Sequence, residues 1–215
     1  MHLIGAGIFV FIAMLAGVAQ AGDRHVVKSL LEMRREHVVV QEFDLSCGAA
    51  AVATLLAYQH GDPVPEQEIA RELIKREEYL AVPELVKMRQ GFSLLDLKRY
   101  VEGRGYEGIG YGQLALEDLI GLAPVLVPVN FNGYNHFVVF RGIQGDRVLV
   151  ADPAFGNRTM RIERFQDSWL DSPSFGRVGF VVARTDGRPS SNDLAPQEGD
   201  VLTPPGAVLR QAILR

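Results

Sequence analysis

The sequence predicts an α+β fold, with helices gathered in its first half and antiparallel strands in its second. Between residues 47 and 103, apolar positions recur at helical spacing between cap residues and helix-stopping glycines. From residue 106 onward, short β-branched runs such as P-V-L-V-P-V-N and V-L-V-A-D alternate with turn residues. Helices and strands segregated in this way argue for α+β. A chain of 215 residues with 47% hydrophobic composition is also the right size for one domain with a sizeable core.

Leu3 to Val18 is an apolar run of sixteen, followed by Ala19-Gln20-Ala21 before Gly22 and Asp23. The run is short for a membrane span, which needs about twenty residues, and the two alanines match a signal-peptidase site, so residues 1–21 read as a secretory signal peptide cut after Ala21. The n-region offers only the amino terminus and His2, and an uncleaved membrane anchor is the alternative. Asp23 to His37 reads as a short helix, and Val38-Val39-Val40 leads extended into Gln41. His25 and His37 have no carboxylate or cysteine at ligand spacing, so they read as surface histidines; no metal site is expected.

Gln41 to Tyr58, Q-E-F-D-L-S-C-G-A-A-A-V-A-T-L-L-A-Y, holds the chain's only cysteine, Cys47, at the start of an alanine-rich run expected to be a buried helix ended by Gly61. Free amides at a helix N-terminus favour a thiolate. Ser46 is expected as the N-cap, Gly48 as a point of close approach, and Gln41 as an amide donor to an oxyanion beside the sulfur. A lone cysteine is also a common buried hydrophobe, so partners must decide. In an exported chain, an odd thiol is either reactive or paired with another molecule.

Pro63 to Tyr79 reads as one helix with Pro65 in its first turn, Ile69, Leu73 and Ile74 on one face, and a solvated charged face. Leu80 to Arg89 is ambiguous between helix and loop. Ser93 with Asp96 makes a capping box for a helix striped by Leu94, Leu97 and Val101 and ended at Gly103-Arg104-Gly105. Tyr106–Tyr111 reads as a strand, Leu116–Leu122 as a brief helix and Pro124–Asn130 as a buried strand. Asn157–Glu163 and Arg177–Arg184 read as strands, and Phe165–Trp169 as a short helix bearing a core Trp169.

Between these lie the partners Cys47 requires. His136 opens one β-branched run and Asp152 closes the next, joined by the turn Ile143–Asp146. In an antiparallel hairpin those two ends lie side by side, so an imidazole can take the thiol proton while a carboxylate fixes its other nitrogen. Asn130, Asn132, Tyr134 and Asn135 crowd the approach and read first as turn residues.

Gln41 six residues before Cys47-Gly48, then Asn135-His136-Phe137-Val138-Val139, then Asp152-Pro153 with Gly156 beyond, resembles the C39 cysteine peptidases. These are papain-like domains that cut bacteriocin leader peptides after a double glycine. The resemblance spans residues 38–184 and includes Gly91–Tyr100, similar to the family's second helix. It implies Cys47 as nucleophile, His136 as general base and acid, Asp152 as its orienting acid and Gln41 as oxyanion donor. Ser46 stands where many members have Asp. The resemblance is to stand-alone exported members, some of which accompany secretion systems of bacterial functional amyloid. It implies a periplasmic peptidase acting on a secreted polypeptide with a small pair before the cut, in company with secretion-system proteins and in a biofilm context.

Other classes are disfavoured by the residues. A formal charge of −4 gives no basic excess for nucleic acid, and no GxxxxGK[ST] motif binds ATP; no cofactor is implied. A papain-like cell-wall amidase often uses a second His where this chain offers Asp152, and a peptide-holding adaptor would lack Cys or His. Residues 22–184 are thus expected to form the peptidase domain. Asp186–Asp200, rich in Gly, Pro, Ser and Asp, is expected as a flexible linker leading to a short amphipathic segment from Pro204 to Arg215.

Overall fold

A computed structural model describes residues 28–201. The expected signal peptide and the amphipathic segment after Pro204 lie outside the described residues. No helix among those described is long and apolar enough to cross a membrane.

In chain order the elements are α1 (Leu30–Arg35), α2 (Cys47–Thr54, continued by a π-helical turn, Leu55–Gln59), α3 (Glu66–Ile74), α4 (Glu77–Ala81), α5 (Leu85–Met88) and α6 (Leu94–Gly103). Then come β1 (Tyr106–Tyr111), α7 (Leu116–Leu122), β2 (Val125–Phe131), β3 (Tyr134–Gln144), β4 (Arg147–Asp152), β5 (Gly156–Arg161) and α8 (Ile162–Ser168). Two short strands, β6 (Asp171–Ser172) and β7 (Gly176–Arg177), pair with each other before β8 (Gly179–Arg184). The main sheet is antiparallel with order β1-β8-β2-β3-β4-β5.

Strand alternation sorts the core into two layers. Leu126, Val139, Ala151, Phe180 and Val182 face α2, α3 and α6. Val125, Val127, Val129, Val138, Phe140, Val148 and Val150 face α7 and α8. Covered on both sides, β2, β3 and β4 are apolar on both faces, which is why these runs read as near-continuous Val and Leu.

α2 is buried on every side, and its alanines let it lie close against the sheet. A Cβ at Gly48 would sit 3.3 Å from side-chain atoms of both Leu97 and Phe137, so the close approach expected there is made by these two side chains. Gly61, at φ 67°, ends the helical run by donating its N–H to Ala57 O. Ser93 and Asp96 form the expected capping box, worth about 1 kcal/mol. The Asp96 carboxylate does more: buried, it also accepts from Arg76 and from the Tyr79 hydroxyl, pinning α4 to α6. Burial and that carboxylate push the Tyr79 hydroxyl up to about 12.

Three expectations are corrected. The helix expected over Asp23–His37 is only one and a half turns in its described part, closed by a Ser29–Glu32 capping box. The helix expected through Pro63–Tyr79 breaks at Lys75-Arg76 into α3 and α4, because the residues after Ile74 turn to bring Tyr79 into the core; Ile74 itself is exposed. Glu66, at the start of α3, is buried although the other carboxylates of this run are exposed. Asp186–Asp200 has no regular secondary structure and is mostly exposed, but it is anchored at one point: Leu194 is fully buried in the α2-side core.

Candidate active site

The base side of the site is built by two consecutive hairpins. Asn132 and Gly133, both at positive φ (56° and 89°), make the two-residue turn between β2 and β3 that Asn-Gly favours. Asn130 accepts from Gly133 N–H at 2.8 Å and donates to Asn135, so these asparagines serve the turn. His136 follows two residues into β3, and a second two-residue turn, Gly145-Asp146, returns the chain along β4 to Asp152.

Register at the turn would not by itself bring the two together. Near it, Gln144 pairs with Arg147 and Gly142 with Leu149. Continued unbroken, that register would set Asp152 across from Val139, on the face opposite His136. A bulge at Arg141 shifts the pairing so that Phe140 meets Val150 and Val139 meets Ala151. Asp152 then falls on the same face as Val138 and His136, as a diagonal neighbour of the latter. The result is a buried hydrogen bond from His136 Nε2 to Asp152 Oδ1 at 2.8 Å.

Asp152 is wholly buried and well held. Oδ1 also accepts from Ala154 N–H, and Oδ2 accepts from Arg158 at 3.1 Å. Arg158 lies between the rings of Phe131 and Phe155, at 5.1 and 5.2 Å from their centroids. Burial alone raises a carboxyl, but the His136 bond, the Ala154 amide and the Arg158 charge outweigh it and hold Asp152 below its ordinary range. Arg158 was missed in the sequence; its only signal is its place six residues after Asp152 on the returning strand.

The Cys47 side is a loop and a helix start. Cys47 is buried, at the first position of α2, beside the His136 ring. His136 Nδ1 is buried and makes no hydrogen bond of ordinary geometry, so it is the nitrogen left to the thiol. Catalytic hydrogen bonds in unliganded enzymes are often long and tighten when substrate binds. Burial pulls the imidazole down, but the Asp152 bond and neighbouring Cys47 more than offset it and push His136 up to about 9.

Ser46 stands at the N-cap position without capping α2: its hydroxyl lies within bonding reach of Phe43 O and the buried Glu66 carboxylate. Glu66 also accepts from Glu42 N–H at 2.8 Å, so α3 grips both ends of the Glu42–Ser46 loop. Leu45 in that loop is left-handed, at φ 67°, and its carbonyl lies 3.0 Å from where a Cβ at Gly91 would stand. Gln41 donates its N–H to Pro153 O at 2.8 Å, tying the loop to the end of β4. Its side-chain Nε2 donates to Phe43 O at 3.0 Å, leaving one amide proton uncommitted among the described residues. Tyr134 closes over this region, its hydroxyl raised by burial and by nearby Cys47 and Asp44. Gln90, from the segment after α5, accepts from Asn135 N–H and borders the same opening. No group of three or more metal-ligating side chains is found among the described residues.

Known proteins share this arrangement of chain. A probable functional amyloid protease, FapD, of Pseudomonas aeruginosa is 41% identical over 145 residues, covering 66% of this chain and 61% of that protein, so the match spans less than two thirds of that relative's length. A protein of the same description from Pseudomonas fluorescens is 34% identical over 169 residues, covering 73% and 72% of the two chains. Among solved structures, a double glycine motif protease from an AMS/PCAT transporter, in complex with a leader peptide, superposes with a TM-score of 0.54 at 27% identity, over 69% of this chain and 91% of that one. The peptidase domain of Streptococcus ComA superposes equally well, TM-score 0.54 at 22% identity over 69% and 98%, which supports the fold. The peptidase C39 family itself matches residues 35–172, the span from the end of α1 through β6 that holds Gln41, Cys47, His136 and Asp152, and the chain therefore belongs to the peptidase C39 family of cysteine peptidases.

Proposed function

We propose that this chain is an exported peptidase that cuts a secreted polypeptide after a Gly-Gly or similar small pair, with Cys47 as nucleophile, His136 as base and acid, Asp152 as orienting acid and Gln41 as oxyanion donor. The observation that carries this is the His136 Nε2–Asp152 bond of 2.8 Å, with Nδ1 left unbonded beside Cys47.

The thiol proton passes to His136 Nδ1, and Cys47 Sγ bonds to the substrate carbonyl carbon. The carbonyl oxygen takes up the displaced electron pair and is held by the Cys47 N–H and the uncommitted Gln41 amide proton. When the C–N bond breaks, His136 returns its proton to the leaving amine. Water then attacks the thioester and gives a proton to His136; the C–S bond breaks and the thiol is restored. Asp152 keeps Nε2 protonated throughout, so Nδ1 alone exchanges protons.

The small-pair preference is supported by the double-glycine protease at 27% identity, since a narrow cleft admits a residue without a side chain. Export to the periplasm rests on the Leu3–Val18 run and Ala19-Gln20-Ala21. Service to an amyloid or biofilm secretion system is supported by the two FapD relatives.

The test incubates the chain from Gly22 onward, and its Cys47→Ala variant, with peptides differing only in a Gly-Gly, Ala-Ala or Val-Val pair before the cut. The expected order is Gly-Gly over Ala-Ala over Val-Val, with no cleavage by the variant. Absence of cleavage across the series, or cleavage surviving Cys47→Ala, contradicts the proposal. Export is tested separately by fractionating cells and sequencing the N-terminus, which should begin at Gly22.

A further inference from the structure

The segment from Ser191 to Asp200 lies beyond the residues matched by the family, yet it touches both elements that carry the site, the helical run begun by Cys47 and the strand that bears His136. At one end, Ser191 N–H donates to Gln59 O and Asp193 N–H to Tyr58 O, at the π-helical turn that continues α2. At the other, it surrounds the bulge residue Arg141. The guanidinium is 4% exposed and spends its donors on Leu194 O at 2.9 Å, Ala195 O at 3.2 Å, both oxygens of Asp200 at 3.1 Å, and Asn157 Oδ1 at 3.2 Å. Five contacts match the five N–H donors an arginine possesses. Asn157 in turn donates to Met33 O and Glu36 O, which fastens α1 to the same point.

Next to Arg141, Gly142 has φ 148°, and a Cβ there would lie 2.7 Å from Pro196 Cγ. The bulge and the segment are therefore shaped to each other. A bulge that places a large charged side chain in the interior is stable only where that charge is fully met. A hairpin that kept its turn register throughout would carry Asp152 to the face away from His136.

We propose that residues 191–200 are a strap that belongs to the catalytic apparatus, with Arg141 as a positioning residue: by holding the bulge in β3 it fixes the register that puts Asp152 against His136. This rests on the peptidase reading only for its activity readout. The geometric part stands on its own.

The experiment compares the chain from Gly22 to Arg215 with its Arg141→Met and Asp200→Ala variants, measuring kcat and KM on the Gly-Gly peptide and following the His136 imidazole by nitrogen-15 NMR against pH. For Arg141→Met the expected result is a fall in kcat of about 100-fold, the cost of misplacing a reacting group by about 1 Å, with KM changed less than about threefold. His136 should then titrate below its value in the parent chain, having lost the Asp152 carboxylate that raises it. Asp200→Ala, which leaves the sheet interior intact, should lower kcat by about tenfold and move His136 the same way. If Arg141→Met does not fold, Asp200→Ala decides. Wild-type kcat and an unmoved His136 in a folded variant overturn the proposal. If the parent chain cleaves nothing, the peptidase reading fails, and the His136 titration still decides the strap.

Discussion

The two sides of the site are held by different means. His136 and Asp152 ride on one continuous hairpin, where ladder hydrogen bonds and alternation determine which side chains meet. Cys47 is presented by a loop without regular structure whose shape comes from distant residues: Glu66 on α3, Gly91 before α6 and Pro153 after β4. The hairpin's geometry is written locally except at the Arg141 bulge, which residues 191–200 hold, whereas the loop's is imposed throughout by its surroundings. A left-handed Leu45 in that loop is a conformation that persists only when surroundings over-determine it. Damage to the base side should therefore show first in protonation, and damage to the loop around Cys47, short of removing the thiol itself, mainly in turnover.

The largest effects fall on groups that exchange atoms or protons with substrate. Cys47→Ala should abolish cleavage, and His136→Ala should lower kcat by about 10³- to 10⁴-fold, both read by single-turnover assays. Cys47→Ala turnover on the scale of the parent chain would break the comparison at its centre.

Glu66→Ala sharpens it on the nucleophile side. Releasing Glu42 and Ser46 should cost about 100-fold in kcat, while His136 titrates as in the parent chain. Glu66→Gln, which can accept from Glu42 N–H and donate to Ser46 Oγ, should recover to within about tenfold on the same scale. Equal loss in both, or a shifted His136, would mean the two sides are not separable.

On the base side, Arg158→Met should lower kcat by about tenfold, at the low end of what a positioned charge contributes. Its mark is in the acid limb: without the guanidinium the Asp152 carboxyl rises, and activity is lost at a higher pH than in the parent chain. A pH–rate profile unchanged on its acid side would remove Arg158 from the mechanism.

Stability should follow pH most gently. The His136 pKa is raised in the folded chain, so its contribution is complete below the unfolded value of 6.5 and is lost as pH rises through about 9. Asp152 is lowered, so its contribution is present above its unfolded value and is lost as pH falls through the folded one. Thermal melts between pH 5 and 10 should decline on the alkaline side, and His136→Gln should flatten that decline. The alkaline limb of kcat should lie near 9, as an apparent value belonging to the coupled site.

What could be read in the sequence follows the same division. β1 and α7 were placed at their observed bounds because Tyr106–Tyr111 and Leu116–Leu122 are punctuated by local turn and cap residues. The His136–Asp152 approach was legible because a hairpin mirrors its ends. The bulge that gives them a common face was not, since Arg141 looks like any charged residue until Asp200 and two carbonyls are folded onto it. Glu66 sits in a charged run, and only tertiary structure distinguishes the one carboxylate that turns inward. Leu194 gave too little apolar signal to mark its segment as anchored. In each case the missed feature depends on a partner more than twenty residues away or on one side chain among similar neighbours.

The most direct test of the account follows the His136 imidazole nitrogens against pH in the parent chain, in Cys47→Ala and in Asp152→Asn. The account predicts titration near 9 in the parent, with Nε2 keeping its proton, and a downward shift in each variant, because each removes one of the two neighbours that raise it. An imidazole that titrates near 6.5 in the parent chain and does not respond to Cys47→Ala would contradict the claim that hairpin and helix meet at this residue.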